Sequence, residues 1–194
     1  MISTVKISKR EHLLDAATEL FYAHGLRAVS VDKVIDRAGT TKVTFYRHFS
    51  SKDELIVAYL ERRAMVERDR MGMAIAQGEG DVGATLRLIS EQIGAIACAP
   101  GFRGCPFINA AAESTDPDSP IRRVIDAHRR WNRGIFEQLI APLAPPNPAA
   151  VADDMMLIRD GAMVAGYLDH AAAVAAAFLR SSQAVIDAGT LPAK

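Results

Sequence analysis

With only two cysteines among 194 residues, no disulfide framework can carry this fold. No run of about eighteen uninterrupted apolar residues occurs, which argues against a membrane-spanning helix. The opening Met1-Ile2-Ser3-Thr4-Val5-Lys6 lacks the apolar core and cleavage site of an export signal, so a cytoplasmic location is expected. Aromatic residues are scarce at 6%, and strand-forming runs of Val, Ile and Thr are few. What is plentiful is alanine, within an apolar fraction of 49% that suffices to bury a helical core. Net charge is formally zero, yet unevenly spread. Residues 1–63 hold eleven Lys and Arg against eight Asp and Glu, whereas residues 64–194 hold twelve against fifteen. Such polarity suits a head that approaches phosphate and a body that does not.

Caps and periodicity predict helices along the whole chain. Ser8-Lys9-Arg10-Glu11 reads as a capping box, followed by Leu13, Leu14, Ala17, Leu20 and Phe21 on one face and by Gly25 as the stop. Ser30 caps a short helix whose Val31, Val34, Ile35 and Ala38 face inward, and Gly39 ends it. Two threonines then lead into Lys42-Val43-Thr44-Phe45-Tyr46-Arg47-His48-Phe49, about two helical turns. Ser51-Lys52-Asp53-Glu54 forms a second capping box and opens a long helix running to about Ala76. Beyond the break at Gln77-Gly78-Glu79-Gly80-Asp81, helices are expected near 82–98, 106–114, 119–140, 150–169 and 171–188. The last boundary, at Asp169-His170, has neither Pro nor Gly to mark it.

A capped helix, a glycine turn and a short second helix within residues 30–49 make the layout of a helix-turn-helix. Projected at about 100° per residue, Phe45 and Phe49 point to the core. Val43 and Arg47 lie roughly opposite, with Thr44 beside them, facing a major groove. Lys42 and Tyr46 fall on one flank, Thr41 and His48 on the other. Arg47 can donate two bonds to guanine, while Val43 and the Thr44 methyl can pack on a thymine methyl. Tyr46 and Lys52 can bond phosphate, which sets register without reading sequence. Ser30, Thr41 and the free amides beside them offer anion sites. A merely solvated helix face is the alternative for each residue taken singly.

Residues 8–60 resemble the DNA-binding domain of the TetR family of transcriptional regulators. The resemblance is carried by Ala17-Thr18-Glu19-Leu20-Phe21, Gly25, Ser30 to Ile35, and the run from Ala38-Gly39 through Thr44-Phe45-Tyr46, Phe49 and Lys52 to Leu55. Val43 stands where the family commonly has glycine, proline or a small residue, and Thr40 where it commonly has valine. The resemblance implies DNA contacts at Thr41, Lys42, Val43, Thr44, Tyr46, Arg47, His48 and Lys52. It implies an all-α fold, with a three-helix DNA-binding domain at 1–55 and a helical effector-binding and dimerisation domain at 56–194. The expected activity is repression of a palindromic operator, relieved by a small-molecule effector.

Family members pair through their last two helices, here Asp154 to Leu168 and Ala171 to Ile186. Gly161, Ala162, Ala165, Gly166 and the alanines at 171–173 and 175–177 would let helices approach closely. An alanine-rich core within one chain is the alternative. The run Gly104-Cys105-Pro106-Phe107, then Asn109, resembles the start of a pocket helix in some members. By that analogy Phe102, Phe107, Asn109, Trp131, Met156, Arg159, Met163 and Tyr167 line an effector cavity, mostly apolar with a few orienting polar groups. Ordinary core filling is the competing reading for each.

Cys98 and Cys105 are expected to be buried structural thiols, with a redox pair as the alternative. No further Cys or close His spacing supports zinc, and the five histidines form no ligand pair. No nucleophile elbow, phosphate loop or paired-carboxylate context is present, so neither an enzyme nor a cofactor is expected.

Overall fold

The computed structural model describes residues 8–168 and 171–190. The boundary expected at Asp169-His170 lies outside them, as does Met1 to Lys6. Among the described residues the chain is all-α, without a strand. The helices are α1 (Lys9–His24), α2 (Val31–Arg37), α3 (Lys42–His48), α4 (Lys52–Gln77), α5 (Val82–Ala97), α6 (Pro106–Glu113), α7 (Pro120–Ile140), α8 (Pro148–Leu168) and α9 (Ala171–Thr190). A 3-10 turn, Ala141–Leu143, follows α7. Helix α8 starts two residues before the expected 150, because Asn147 caps it through the Ala150 amide at 3.2 Å. Pro148 fits the first position, where no N–H is required. Helix α9 runs two residues past the expected 188.

The chain divides into two compact units. One comprises the described residues of Met1–Arg63 and of Pro106–Ile125; the other, those of Ala64–Cys105 and Asp126–Lys194. Helix α6 and the start of α7 thus join the first three helices, although sequence order alone places them in the effector body.

In the first unit each short helix begins at the hydroxyl the sequence provides. Ser8, Ser30 and Thr41 accept from Glu11, Lys33 and Thr44 amides at 3.2 Å each. The Glu11 carboxylate is engaged by Arg62 and Arg10. Glu54 does not return to Ser51 but to Ser50, which offers both an amide at 2.6 Å and a hydroxyl at 2.7 Å. Leu13, Leu14, Phe21, Val34, Ile35, Phe45, Phe49, Leu55 and Leu60 are buried. Leu20, Val31 and Ala38, expected inside with them, are half-buried at the rim. Phe21 meets Tyr59 edge-on at 5.7 Å.

In the second unit, α5, α8 and α9 pack where side chains are smallest. A Cβ on Gly94 would stand 2.7 Å from the Ala175 methyl, and one on Gly166 would stand 2.8 Å from that of Ala97. Gly166 and Ala175, read from sequence as dimer-face residues, are therefore spent inside the protomer. The alternative of an alanine-rich internal core is partly realised.

Candidate functional site

Helix α3 is held by its aromatic residues and presents the rest. Phe45 and Phe49 are fully buried, their rings 6.0 Å apart. Opposite them Val43 is 74% exposed, and on the flank Tyr46 is 57% exposed, so both are open to a partner. Thr41, Lys42 and Arg47 are exposed as well, while Thr44 and His48 are half-buried. The Thr41 and Thr44 hydroxyls lie 3.1 Å apart, so each has a partner before any ligand arrives. Lys42 pairs with Asp32 of α2 at 2.9 Å, and that hydrogen bond raises its pKa. Lys52, half-buried at the start of α4, has its pKa lowered because burial outweighs the negative charges of Asp53 and Glu113. Ser30 is exposed at the head of α2. One turn of surface thus carries a bidentate donor, a methyl-bearing pair and flanking cations, the set needed to meet base edges and phosphates.

The profile of the tetR family of bacterial regulatory proteins matches residues 13–59. A solved TetR-family transcriptional regulator from Streptomyces coelicolor is 35% identical, covers 94% of this chain and 96% of its own, and superposes with a TM-score of 0.89. The chain belongs to the TetR family of transcriptional regulators. It is a DNA-binding regulator and not an enzyme. Among curated relatives, the transcriptional activator FasR of Mycolicibacterium smegmatis is 48% identical over 54 residues, 28% of this chain and 25% of FasR. The transcriptional repressor NemR of Escherichia coli is 28% identical over 132 residues, 68% of this chain and 66% of NemR. The matched stretch thus spans less than two thirds of either relative's length.

The residues expected to line the regulator's effector cavity divide between the two units. Phe107, buried, and Asn109, exposed, belong to the first. In the second, Met156, Arg159 and Met163 are buried, Phe102 and Trp131 half-buried, and Tyr167 exposed. Trp131 stacks on His128 at 5.7 Å, with the Arg68 guanidinium over its ring. Arg159 is the hub of a polar cluster that no sequence motif announced. Its Nη2 donates to Glu67 Oε1 at 2.7 Å and its Nη1 to Asp160 at 3.1 Å, with Cys105 Sγ at 3.7 Å. His128 Nε2 stands 3.1 Å from the other Glu67 oxygen, and Asn132 Nδ2 reaches Glu67 at 3.3 Å. Burial opposes the charge on Glu67, but the His128 hydrogen bond and the Arg159 charge outweigh it and hold the pKa at about 2. Burial likewise opposes charge on Arg159, and Glu67 prevails in raising its pKa. One signal was available: Ile121, Ile125, His128, Asn132, Phe136 and Ile140 share the buried face of α7, which puts two polar residues at core positions.

Both thiols are free, and the expectation that both are buried fails for Cys98. It caps the C-terminus of α5 next to the Pro100-Gly101 turn and is exposed, whereas Cys105 lies under Arg159. Thiol titration of the native protein is expected to label Cys98 at once and Cys105 only after unfolding; rapid labelling of both would contradict this. Among the described residues no group of three or more His, Cys, Asp or Glu could hold a metal, and no helix is long and apolar enough to cross a membrane.

Proposed function

We propose that this regulator is a cytoplasmic repressor that binds a palindromic operator as a homodimer and releases it when a small-molecule effector binds the helical body. The observation that carries the reading is the solvent face of α3, where Val43, Tyr46 and Arg47 stand exposed on a rigid aromatic base. In this reading Arg47, Val43 and Thr44 meet base edges. Ser30, Thr41, Lys42, Tyr46, His48 and Lys52 meet the backbone. Lys42 must first leave Asp32, an exposed pair that holds it weakly. Within the second unit the effector cavity is assigned to Phe102, Trp131, Met156, Arg159, Met163 and Tyr167. Release requires the effector to prefer the non-binding dimer state by a few kcal/mol, since only differential affinity shifts the equilibrium.

A groove of about 360 Å³ between α8 and α9 supports the dimer. It is lined by Ile158, Gly161, Ala165, Ala177, Phe178 and Ser181, among others. The exposed Leu157, Val164 and Leu168 extend α8's apolar surface. Two heads about one DNA turn apart read a palindrome that one two-turn helix cannot.

The test is to incubate the protein with sheared DNA from its own genome, sequence what it retains, and titrate the best duplex by fluorescence anisotropy at several salt concentrations. A short palindrome bound orders of magnitude above random duplex supports the reading; weak, salt-sensitive binding alone contradicts it. On that duplex Arg47→Ala is expected to cost about 1 to 3 kcal/mol and relax base preference, whereas Lys52→Ala weakens all sequences alike and flattens the salt slope. Equal losses on cognate and random DNA for Arg47→Ala would remove its assigned role.

The exposure of Cys98 and the Arg159 guanidinium beside Cys105 favour a second reading, a redox sensor acting through the two thiols, with Cys98 meeting the oxidant. Operator binding by Cys105→Ser that is unchanged from wild type, with and without hydrogen peroxide, disposes of it.

A further inference from the structure

We propose that Glu113 is a positioning residue for the DNA-reading head, its carboxylate holding the turn from which α2 and α3 project. Glu113 is the last residue of α6, 86 and 87 positions along the chain from the residues it engages. Where α1 stops at Gly25, the next backbone N–H groups have no helical carbonyl to meet and need acceptors. Glu113 supplies both. Its Oε1 accepts from the Leu26 amide at 2.9 Å and its Oε2 from the Arg27 amide at 2.7 Å. Arg27 Nε donates in return to the Glu113 carbonyl oxygen at 3.2 Å. A carboxylate bonded at both oxygens is fixed in direction as well as distance, and charge-assisted bonds are the stronger kind.

Gly25 shows that the chain is shaped around this contact. Its φ of +86° disfavours any side chain, and a Cβ there would stand 2.8 Å from Glu113 Oε1. The same carboxylate acts electrostatically on Lys52, at the start of α4. One group therefore addresses the turn before α2 and the first residue after the α3 turn, the two covalent ends of the helix-turn-helix. The placement of α3 against DNA follows from where α6 ends.

The test compares full-length wild type, Glu113→Ala and Glu113→Gln, and its functional arm rests on the DNA-binding reading above. Amide exchange at Leu26 and Arg27 is read by NMR, and affinity by anisotropy on the genome-selected duplex and on random duplex. Far-ultraviolet circular dichroism at the assay temperature confirms that each variant is folded. Glu113→Ala is expected to speed exchange at those two amides by about tenfold or more and to lower the ratio of selected to random affinity by about tenfold. Binding to random duplex, which follows the charge lost beside Lys52, changes equally in the two variants, and in the ratio Glu113→Gln, which keeps one accepting oxygen, falls between. Wild-type exchange in Glu113→Ala overturns the clasp; faster exchange with an unaltered affinity ratio overturns its positioning role. A wild-type protein that selects no duplex overturns the DNA-binding reading instead, and the exchange rates still judge the clasp.

Discussion

Replacing Glu67 by alanine is expected to destabilise the regulator by about 3 kcal/mol, because it leaves the buried Arg159 Nη2 without its carboxylate. The Arg159 side chain is 8% exposed and that of Glu67 26%, so solvent screens the pair little. The remaining neighbours only partly replace Glu67: Asp160 Oδ1 keeps its bond to Arg159 Nη1 at 3.1 Å, but its other oxygen is held by Arg129 at 2.8 Å, and Cys105 Sγ is a weak acceptor. His128 and Asn132 lose their shared acceptor at the same time. The pair also has a pH signature. Glu67 titrates at about 2 in the folded protein instead of the ordinary 4.5, so its stabilisation is complete above 4.5 and is lost as pH falls toward 2. Urea denaturation followed through Trp131, the single tryptophan, reads both effects near the cluster. Glu67→Gln should flatten the acid limb between those values relative to wild type. Equal midpoints at neutral pH, with the same acid limb in both proteins, would mean that the ion pair holds nothing.

Gly161→Arg is expected to abolish the dimer and lower operator affinity by at least about a hundredfold, since avidity from the second half-site is lost. The position is chosen because the protomer does not depend on it. Gly161 lies within α8, lines the groove, and has nothing within 4 Å of an added Cβ. Arginine is a better helix former than glycine, so the isolated fold should not suffer. Sedimentation at micromolar protein should show one species at 21.0 kDa where wild type shows twice that mass. Circular dichroism should be unchanged. A variant that remains dimeric and binds DNA at full strength would place the interface elsewhere. Gly166→Arg is the contrasting substitution: its neighbours are Ala97 and Phe102 of the same chain, so it should unfold the second unit rather than separate protomers.

Helix and head were legible because their signals are local. Ser8, Ser30 and Thr41 satisfy amides three residues away, and Phe45 and Phe49 share a face by helical geometry alone, so sequence spacing determined the caps, the all-α class and the exposed face of α3. Even there, local chemistry left a choice, as when the Glu54 carboxylate took Ser50 while its amide took the Ser51 hydroxyl. What the tertiary structure decided depends on residues far apart in the chain. Glu67 sits in a run of charges that reads as a solvated helix face until α7 and α8 bring His128 and Arg159 to it. Glu113 ends a short helix with no hint that residues 26 and 27 await its oxygens. Small residues in α8 and α9 read alike in sequence, yet Gly166 and Ala175 face inward and Gly161 outward. A charge or a missing side chain has meaning only through its neighbours, and packing chooses neighbours that lie beyond the reach of any local pattern.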